Sequence, residues 1–253
     1  MERRITDWGG SIVAFLAVLL VNYLSNAIPI GGLTQKDISD KYSSLFTPDA
    51  FTFAIWGVIY TFLAAFVIYQ ALPAQRNNVL VAKVSQFFII SCIANIAWIF
   101  SWHYELLPLS LLVMIGILLS LIAIYRTLGA AGSPVTLGQR VFLYLPFSLY
   151  VAWITVATMA NISILQSAYD WNAIGLDALN WTLLKLAVVA AVSVLVVLMR
   201  SDMAYGLVIA WAAFGISSKQ VDTPAVAGSA TVLMITMIFL VTFVGVRSLL
   251  QRR

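Results

Sequence analysis

The chain has 253 residues, of which 62% are hydrophobic and only 9% are charged, and its formal net charge is +4. Soluble domains carry about 25% charged residues, because their exterior has to be wetted. This composition therefore excludes a soluble fold, whereas a bilayer accepts such a chain if each helix satisfies its own backbone hydrogen bonds. The basic residues are scattered over short polar segments, which indicates membrane orientation and argues against nucleic acid as a partner.

Apolar stretches of the length needed to cross a bilayer, about 17–25 residues, recur along the whole chain. The first follows Arg3 and Arg4 and continues to Ile30 without a clear cleavage site, so we interpret it as a retained helix and not as a signal peptide. Turn-rich or polar segments separate the later stretches. The sequence predicts an all-α polytopic bundle of about eight spans, at residues 9–30, 51–72, 84–103, 106–127, 140–165, 180–199, 203–218 and 225–247.

The charged residues test this count independently. With a cytoplasmic N-terminus, only Lys36, Lys41 and Lys219 among the loop cations lie outside, together with seven of the ten acidic residues. An odd number of spans would place basic loops on the same side as the acidic ones. The positive-inside rule therefore favours an even number, with both termini in the cytoplasm. We therefore predict a multi-pass protein of the cell (inner) membrane. The cations on the cytoplasmic side are Arg3, Arg4, Arg76, Lys83, Arg126, Arg140, Arg200, Arg247, Arg252 and Arg253.

Asparagines within the spans lie toward the outward-facing ends. An amide in lipid is costly unless it is hydrogen-bonded, so these side chains are expected to face other helices or a cavity. They are Asn22 and Asn26 in the first span, Asn95 in the third and Asn161 in the fifth.

Three spans carry aromatic and amide side chains on one helical face, at similar depth. The spacing is i, i+3, i+7 in the second and third spans and continues to i+11 in the fifth. Packing stripes would give the same pattern. The shared depth and the long loop 31–50, a candidate lid, favour a cavity for a large, planar, mostly apolar ligand. The faces contain Phe53, Trp56 and Tyr60 in the second span, Asn95, Trp98 and Trp102 in the third, and Tyr150, Trp153, Ala157 and Asn161 in the fifth. All of them except Phe53 and Trp102 are predicted ligand-binding residues.

Three segments carry a resemblance to a known family. FTPDAFTFAIWGVIY (46–60) resembles the proline-then-aromatic motif that opens the second helix of the TspO/MBR family, the tryptophan-rich sensory or translocator proteins. ANIAW (94–98) is similar to the family's third-helix motif, and YVAWITVATMAN (150–161) to its fifth-helix motif. The matches follow the family's order and cover roughly residues 1–166.

The resemblance implies a five-helix bundle over residues 1–166, with a ligand cavity beneath the lid 31–50. It also implies binding of tetrapyrroles such as protoporphyrin, or of sterols and synthetic ligands. This chain departs from the pattern at Ala50 and Phe51, where the family has a tryptophan soon after the proline. Three additional spans in residues 167–253 would pack on the bundle as part of a single membrane domain, and they indicate an enlarged branch of the family.

The leading hypothesis is a sensor or carrier that binds such a ligand in an outward-facing aromatic cavity. We expect that no cofactor is required and that the ligand is a porphyrin or another hydrophobic small molecule. The lipid bilayer surrounds the protein, and the sequence is compatible with an oligomer. The alternative is a secondary transporter of a small hydrophobic solute, although no discontinuous helix or midplane charge is evident.

An enzyme is less favoured, because no span contains a carboxylate for acid–base chemistry. We predict no catalytic residue and no metal site, since His103 is the only histidine and is expected to be exposed. Lys185 lies about one turn inside the sixth span, and we expect its ammonium group to reach back to the interface.

Overall fold

The computed structural model describes residues 5–28, 30–42, 44–129, 135–171 and 175–251, and within these ranges the regular structure is entirely helical. Short 3₁₀ turns lie at Ile30–Gly32, Ala50–Ala54 and Pro73–Gln75. The helices are α1 (Ile5–Ala27), α2 (Gln35–Lys41), α3 (Ile55–Ala71), α4 (Val79–His103), α5 (Leu107–Gly129), α6 (Leu137–Gln139), α7 (Leu145–Ala168), α8 (Ala178–Arg200), α9 (Met203–Lys219) and α10 (Pro224–Leu250).

Seven helical segments of the described chain are long and apolar enough to cross a membrane, and they contain α1, α3, α4, α5, α7, α8 and α10. The remaining predicted span is α9, which is apolar but only 17 residues long. At 1.5 Å per residue it reaches about 25 Å, slightly less than the ~30 Å of a bilayer core. The predicted all-α polytopic bundle is confirmed, while the side on which the termini lie stays a prediction.

The helix ends follow from local sequence. The Asn78 side chain caps α4 by accepting hydrogen bonds from the amides of Leu80 and Val81. Two amides of the first turn, which have no partner within the helix, are satisfied in this way. The first helix ends at Ala27, earlier than predicted. The sequence explains this, because the residue before a proline avoids the helical conformation and Pro29 follows closely.

The predicted span 140–165 lies within one helical segment, Leu137–Ala168, in which the regular helix α7 begins at Leu145. Residues Arg140–Tyr144 form a π turn, in which the carbonyl of Arg140 accepts from the amide of Leu145. Pro146 has no amide hydrogen to continue a regular ladder, and a wider turn absorbs this interruption.

Two compact units make up the chain: residues 1–41 with 56–154, and residues 42–55 with 155–253. The first unit contains a phenylalanine layer, formed by Phe15, Phe66, Phe88 and Phe147, all of them buried. Phe66 packs edge-on against Phe88 and Phe147, with centroid distances of 5.2 Å and 4.8 Å. The layer joins α1, α3, α4 and α7. The predicted division at residue 166 stays a prediction.

In the second unit, α9 packs closely against α8 and α10 because it presents small residues to them. A Cβ atom at Gly206 would lie 2.7 Å from Cγ2 of Val241 and 3.0 Å from Cγ2 of Val197. The first distance is shorter than Cβ contacts normally are, so a larger residue at position 206 would have to displace Val241, and glycine permits the close approach.

Candidate functional site

Five side chains predicted for the site are in contact within the first unit. Trp56 stacks on Tyr60 one turn later in α3, with ring centroids 5.2 Å apart and planes 22° apart. The same indole lies edge-on to Tyr150 at 6.0 Å and to Trp153 at 6.2 Å, both on α7. These are favourable geometries for aromatic rings. The fifth side chain, Asn95 of α4, reaches the group through a hydrogen bond.

A chain of amides joins these rings to two further helices. The Asn95 Nδ2 group donates to the hydroxyl of Tyr150 at 3.4 Å, and its Oδ1 accepts from Nδ2 of Asn22 at 3.1 Å. Asn95 is only 2% exposed. Asn22 was not among the predicted ligand-binding residues, although its position in the outer half of the first span was the signal that could have found it.

Trp98 lies one turn beyond Asn95 on α4 and stacks on Trp102, with centroids 5.5 Å apart. Trp102 in turn donates its indole N–H to the carbonyl of Gln35 in α2 at 3.2 Å. Trp98 therefore lies one stacked ring away from the first part of the predicted lid. We call Asn22, Trp56, Tyr60, Asn95, Trp98, Tyr150 and Trp153 the aromatic–amide cluster.

Burial differs across the cluster. Tyr150 and Trp153 are 3% and 2% exposed, whereas Trp56, Tyr60 and Trp98 are only partly buried. The hydroxyl of Tyr60 and the indole N–H of Trp98 are buried atoms without a hydrogen-bond partner in the described part of the chain. A buried polar group left in this state costs about 1–3 kcal/mol. A bound molecule with polar edges would relieve that cost.

The last two predicted residues, Ala157 and Asn161, lie one and two turns beyond Trp153 on α7. Both belong to the second unit, and Asn161 is buried there. Their part in ligand binding stays a prediction.

The predicted lid 31–50 is divided between the two units. Its first part contains α2, which begins with a reciprocal cap. The Asp37 carboxylate accepts from the amide and the hydroxyl of Thr34, and the Thr34 hydroxyl oxygen accepts from the amide of Asp37. These hydrogen bonds lower the pKa of Asp37 below its ordinary value. Lys41 at the end of α2 pairs with Glu105 at 2.5 Å. The lid's first part is thus tied to the turn after α4.

The second part of the lid continues into the 3₁₀ turn Ala50–Ala54, and this segment packs on α9. The Asp49 amide donates to the Gly215 carbonyl at 3.0 Å, and the Trp211 indole N–H donates to the Thr52 carbonyl at 2.9 Å. Phe51 packs against Trp211 with a centroid distance of 5.4 Å. A Cβ atom at Gly215 would overlap the side chain of Thr52. This anchoring to α9 was not predicted from the sequence.

Two expectations about single residues were wrong. Lys185 was expected to extend its ammonium group toward the interface, but its side chain is buried within the protein: it is 6% exposed, and Nζ donates to Oγ of Ser163 at 2.5 Å and to Oε1 of Gln166 at 2.7 Å. His103 is buried and not exposed, with Nδ1 2.8 Å from the carbonyl oxygen of Ile99. Across the described residues, no group of three His, Cys, Asp or Glu side chains could hold a metal ion.

The apolar helices and the family assignment define a multi-pass integral membrane protein in contact with the lipid bilayer. A family model described as TSPO-like protein matches residues 8–244, which is nearly the whole chain. The chain therefore belongs to the TSPO-like protein family, and the resemblance seen in its motifs is confirmed. Searches of curated proteins and of solved structures each found no match.

Proposed function

We propose that this protein binds a large, planar, mostly apolar molecule in the aromatic–amide cluster and acts as a sensor or carrier for it. A tetrapyrrole or a sterol-like isoprenoid fits this description. Aromatic walls with few polar groups are typical of sites for such ligands, because the walls supply contact area and the polar groups set orientation. Membership of the TSPO-like family supports the same class of ligand.

The observation that carries the proposal is a pair of buried polar atoms that have no partner in the described ranges of the chain, the Tyr60 hydroxyl and the Trp98 indole N–H. A region built only for packing has no need of such atoms, and folded proteins satisfy nearly all of them. Trp98 lies one turn beyond Asn95 on α4, and the Tyr60 ring stacks on Trp56 of α3. A ligand with acceptor groups on its edge would use them.

The Trp56 ring packs on the rings of Tyr60, Tyr150 and Trp153, so a planar ligand that enters between them has to displace at least one of these rings. Trp56 is the best candidate, because it is partly exposed and makes the contacts that join Tyr60 to Tyr150 and Trp153. The displaced indole would then pack on one face of the ligand, and the two deeply buried rings of α7 would form the floor of the site.

The proposal is tested by purifying the protein in mild detergent from its native membrane and recording the absorbance of any bound pigment. Purified protein is then titrated with protoporphyrin IX, a sterol and a carotenoid while tryptophan fluorescence is followed. The chain contains eight tryptophans, and we expect saturable quenching with at least one ligand. Absence of saturable quenching with all three would lead us to abandon the proposal.

The buried Lys185 favours a second candidate, secondary transport of a small hydrophobic solute. Ionisable groups inside membrane bundles commonly mark coupling or substrate pathways. Uptake into proteoliposomes that depends on a proton or sodium gradient, and that is lost in Lys185→Ala, would support transport. Ligand binding without any gradient-driven uptake would leave the sensor or carrier role.

A further inference from the structure

The second unit buries a cation without an acidic partner. The Lys185 ammonium is held by two neutral groups on α7, the Ser163 hydroxyl and the Gln166 amide. The ion pairs found among the described residues, Lys36–Asp40 and Lys41–Glu105, do not involve it. A buried charge of this kind is expensive unless another charge compensates it.

The hydrogen-bond donors around this lysine outnumber the acceptors. An ammonium has three donors and no acceptor, so the Gln166 side chain must present its oxygen to Lys185 and keep Nε2 as a donor. That Nε2 is buried and has no partner among the residues that the structure describes, and Gln166 is 8% exposed. The indole N–H of Trp181, one turn before Lys185 on α8, is also buried without a partner. The third N–H of the ammonium adds another donor.

We propose that Lys185, Gln166 and Trp181 form a site for an oxyanion, the carboxylate or phosphate headgroup of an amphiphilic molecule. A negative group with several acceptor oxygens would compensate the charge and accept from these donors at once. Ser163 already donates to the Met159 carbonyl at 2.9 Å, so its oxygen serves the lysine and fixes the ammonium in place.

The position of the site suits a headgroup with an apolar tail. Lys185 lies seven residues into α8, about 10 Å from its start, and Gln166 is in the last turn of α7. Trp171 and Trp181 stack at 6.3 Å near these helix ends, as indoles do at the level of headgroups. Leu184 and Val188, on either side of Lys185 in the sequence, are exposed apolar residues that a tail could contact.

Native mass spectrometry of the full-length protein in detergent tests the site. The probes are oleate, dioleoyl phosphatidic acid, inorganic phosphate and, as a neutral analogue, oleyl alcohol. We expect oleate or phosphatidic acid to bind at least tenfold more tightly than oleyl alcohol. Retention of inorganic phosphate alone at similar strength would also support the oxyanion site, with a free anion and not a lipid as its source.

Three variants connect the binding to the site. Lys185→Met should weaken anion binding at least tenfold, and Gln166→Glu should do the same while keeping the fold, because it supplies the lysine with an internal carboxylate. Lys83→Met, at an exposed lysine of α4, is the matched control and should bind as the wild type does. Equal anion binding by wild type, Lys185→Met and Gln166→Glu would overturn the proposal, as would the absence of anion binding to the wild type.

Discussion

The first unit contains two aromatic regions on the same four helices, and they differ in chemistry. The phenylalanine layer has only carbon in its side chains and is completely buried. The aromatic–amide cluster adjoins the layer, because the ring centroids of Phe15 and Tyr60 are 6.4 Å apart. The cluster continues along α4 to Asn95, seven residues or about 10 Å beyond Phe88. It contains amides, indoles and phenols, and some of its polar atoms have no partner.

This difference separates packing from binding. Both regions join α1, α3, α4 and α7, and the phenylalanine layer does so without any polar group. Joining the helices therefore does not explain why the cluster buries polar atoms at a cost. Substitutions in the layer should change stability alone, whereas substitutions in the cluster should change ligand affinity.

The largest effect on stability is expected from Phe88→Ala in the phenylalanine layer. Loss of a fully buried ring leaves a cavity and should lower the free energy of unfolding by about 3–5 kcal/mol. Unfolding in mixed micelles measures this change. The Kd for the ligand, measured below the melting temperature of the variant, should stay within about threefold of the wild-type value. A much weaker Kd would mean that the two regions are not separable.

A smaller loss of stability, and a large loss of affinity, is expected from Trp56→Ala. The indole contacts three other rings but is partly exposed. Loss of one aromatic contact to a ligand costs about 0.5–1.5 kcal/mol in addition to the lost buried area, so affinity should fall roughly tenfold or more. Isothermal titration measures it, with Trp211→Ala in the second unit as a matched control. Equal effects of the two variants would argue against a role for Trp56.

A moderate loss of stability is expected from Asn95→Leu. The substitution removes the hydrogen bonds to Asn22 and Tyr150 while keeping the side-chain size. Hydrogen bonds between membrane helices average about 0.6 kcal/mol each, so the free energy of unfolding should fall by roughly 1 kcal/mol. Asn26→Leu, at an exposed amide of α1, is the control. Unchanged stability in Asn95→Leu would show that the amide chain does not join the helices.

The sequence predicted the helices, the family and the level of the aromatic–amide cluster, because these depend on local patterns. Hydropathy marks the spans, and the i, i+3, i+7 spacing places Trp56 and Tyr60 on one face. The burial of Lys185 could not be predicted from the sequence, because an ammonium near a helix end usually reaches water. Its partners Ser163 and Gln166 lie on another helix, so no local pattern marks them. The contact of Thr52 with Gly215 likewise joins residues far apart in the chain.

The most direct test of the ligand site is Tyr60→Phe, which removes one hydroxyl and leaves the ring stacked on Trp56. Because this hydroxyl has no partner within the described protein, its removal should leave the free energy of unfolding unchanged or slightly higher. If a ligand accepts from it, protoporphyrin IX or the native ligand should bind severalfold more weakly. We expect this combination of preserved stability and reduced affinity. Reduced stability with unchanged affinity would contradict it.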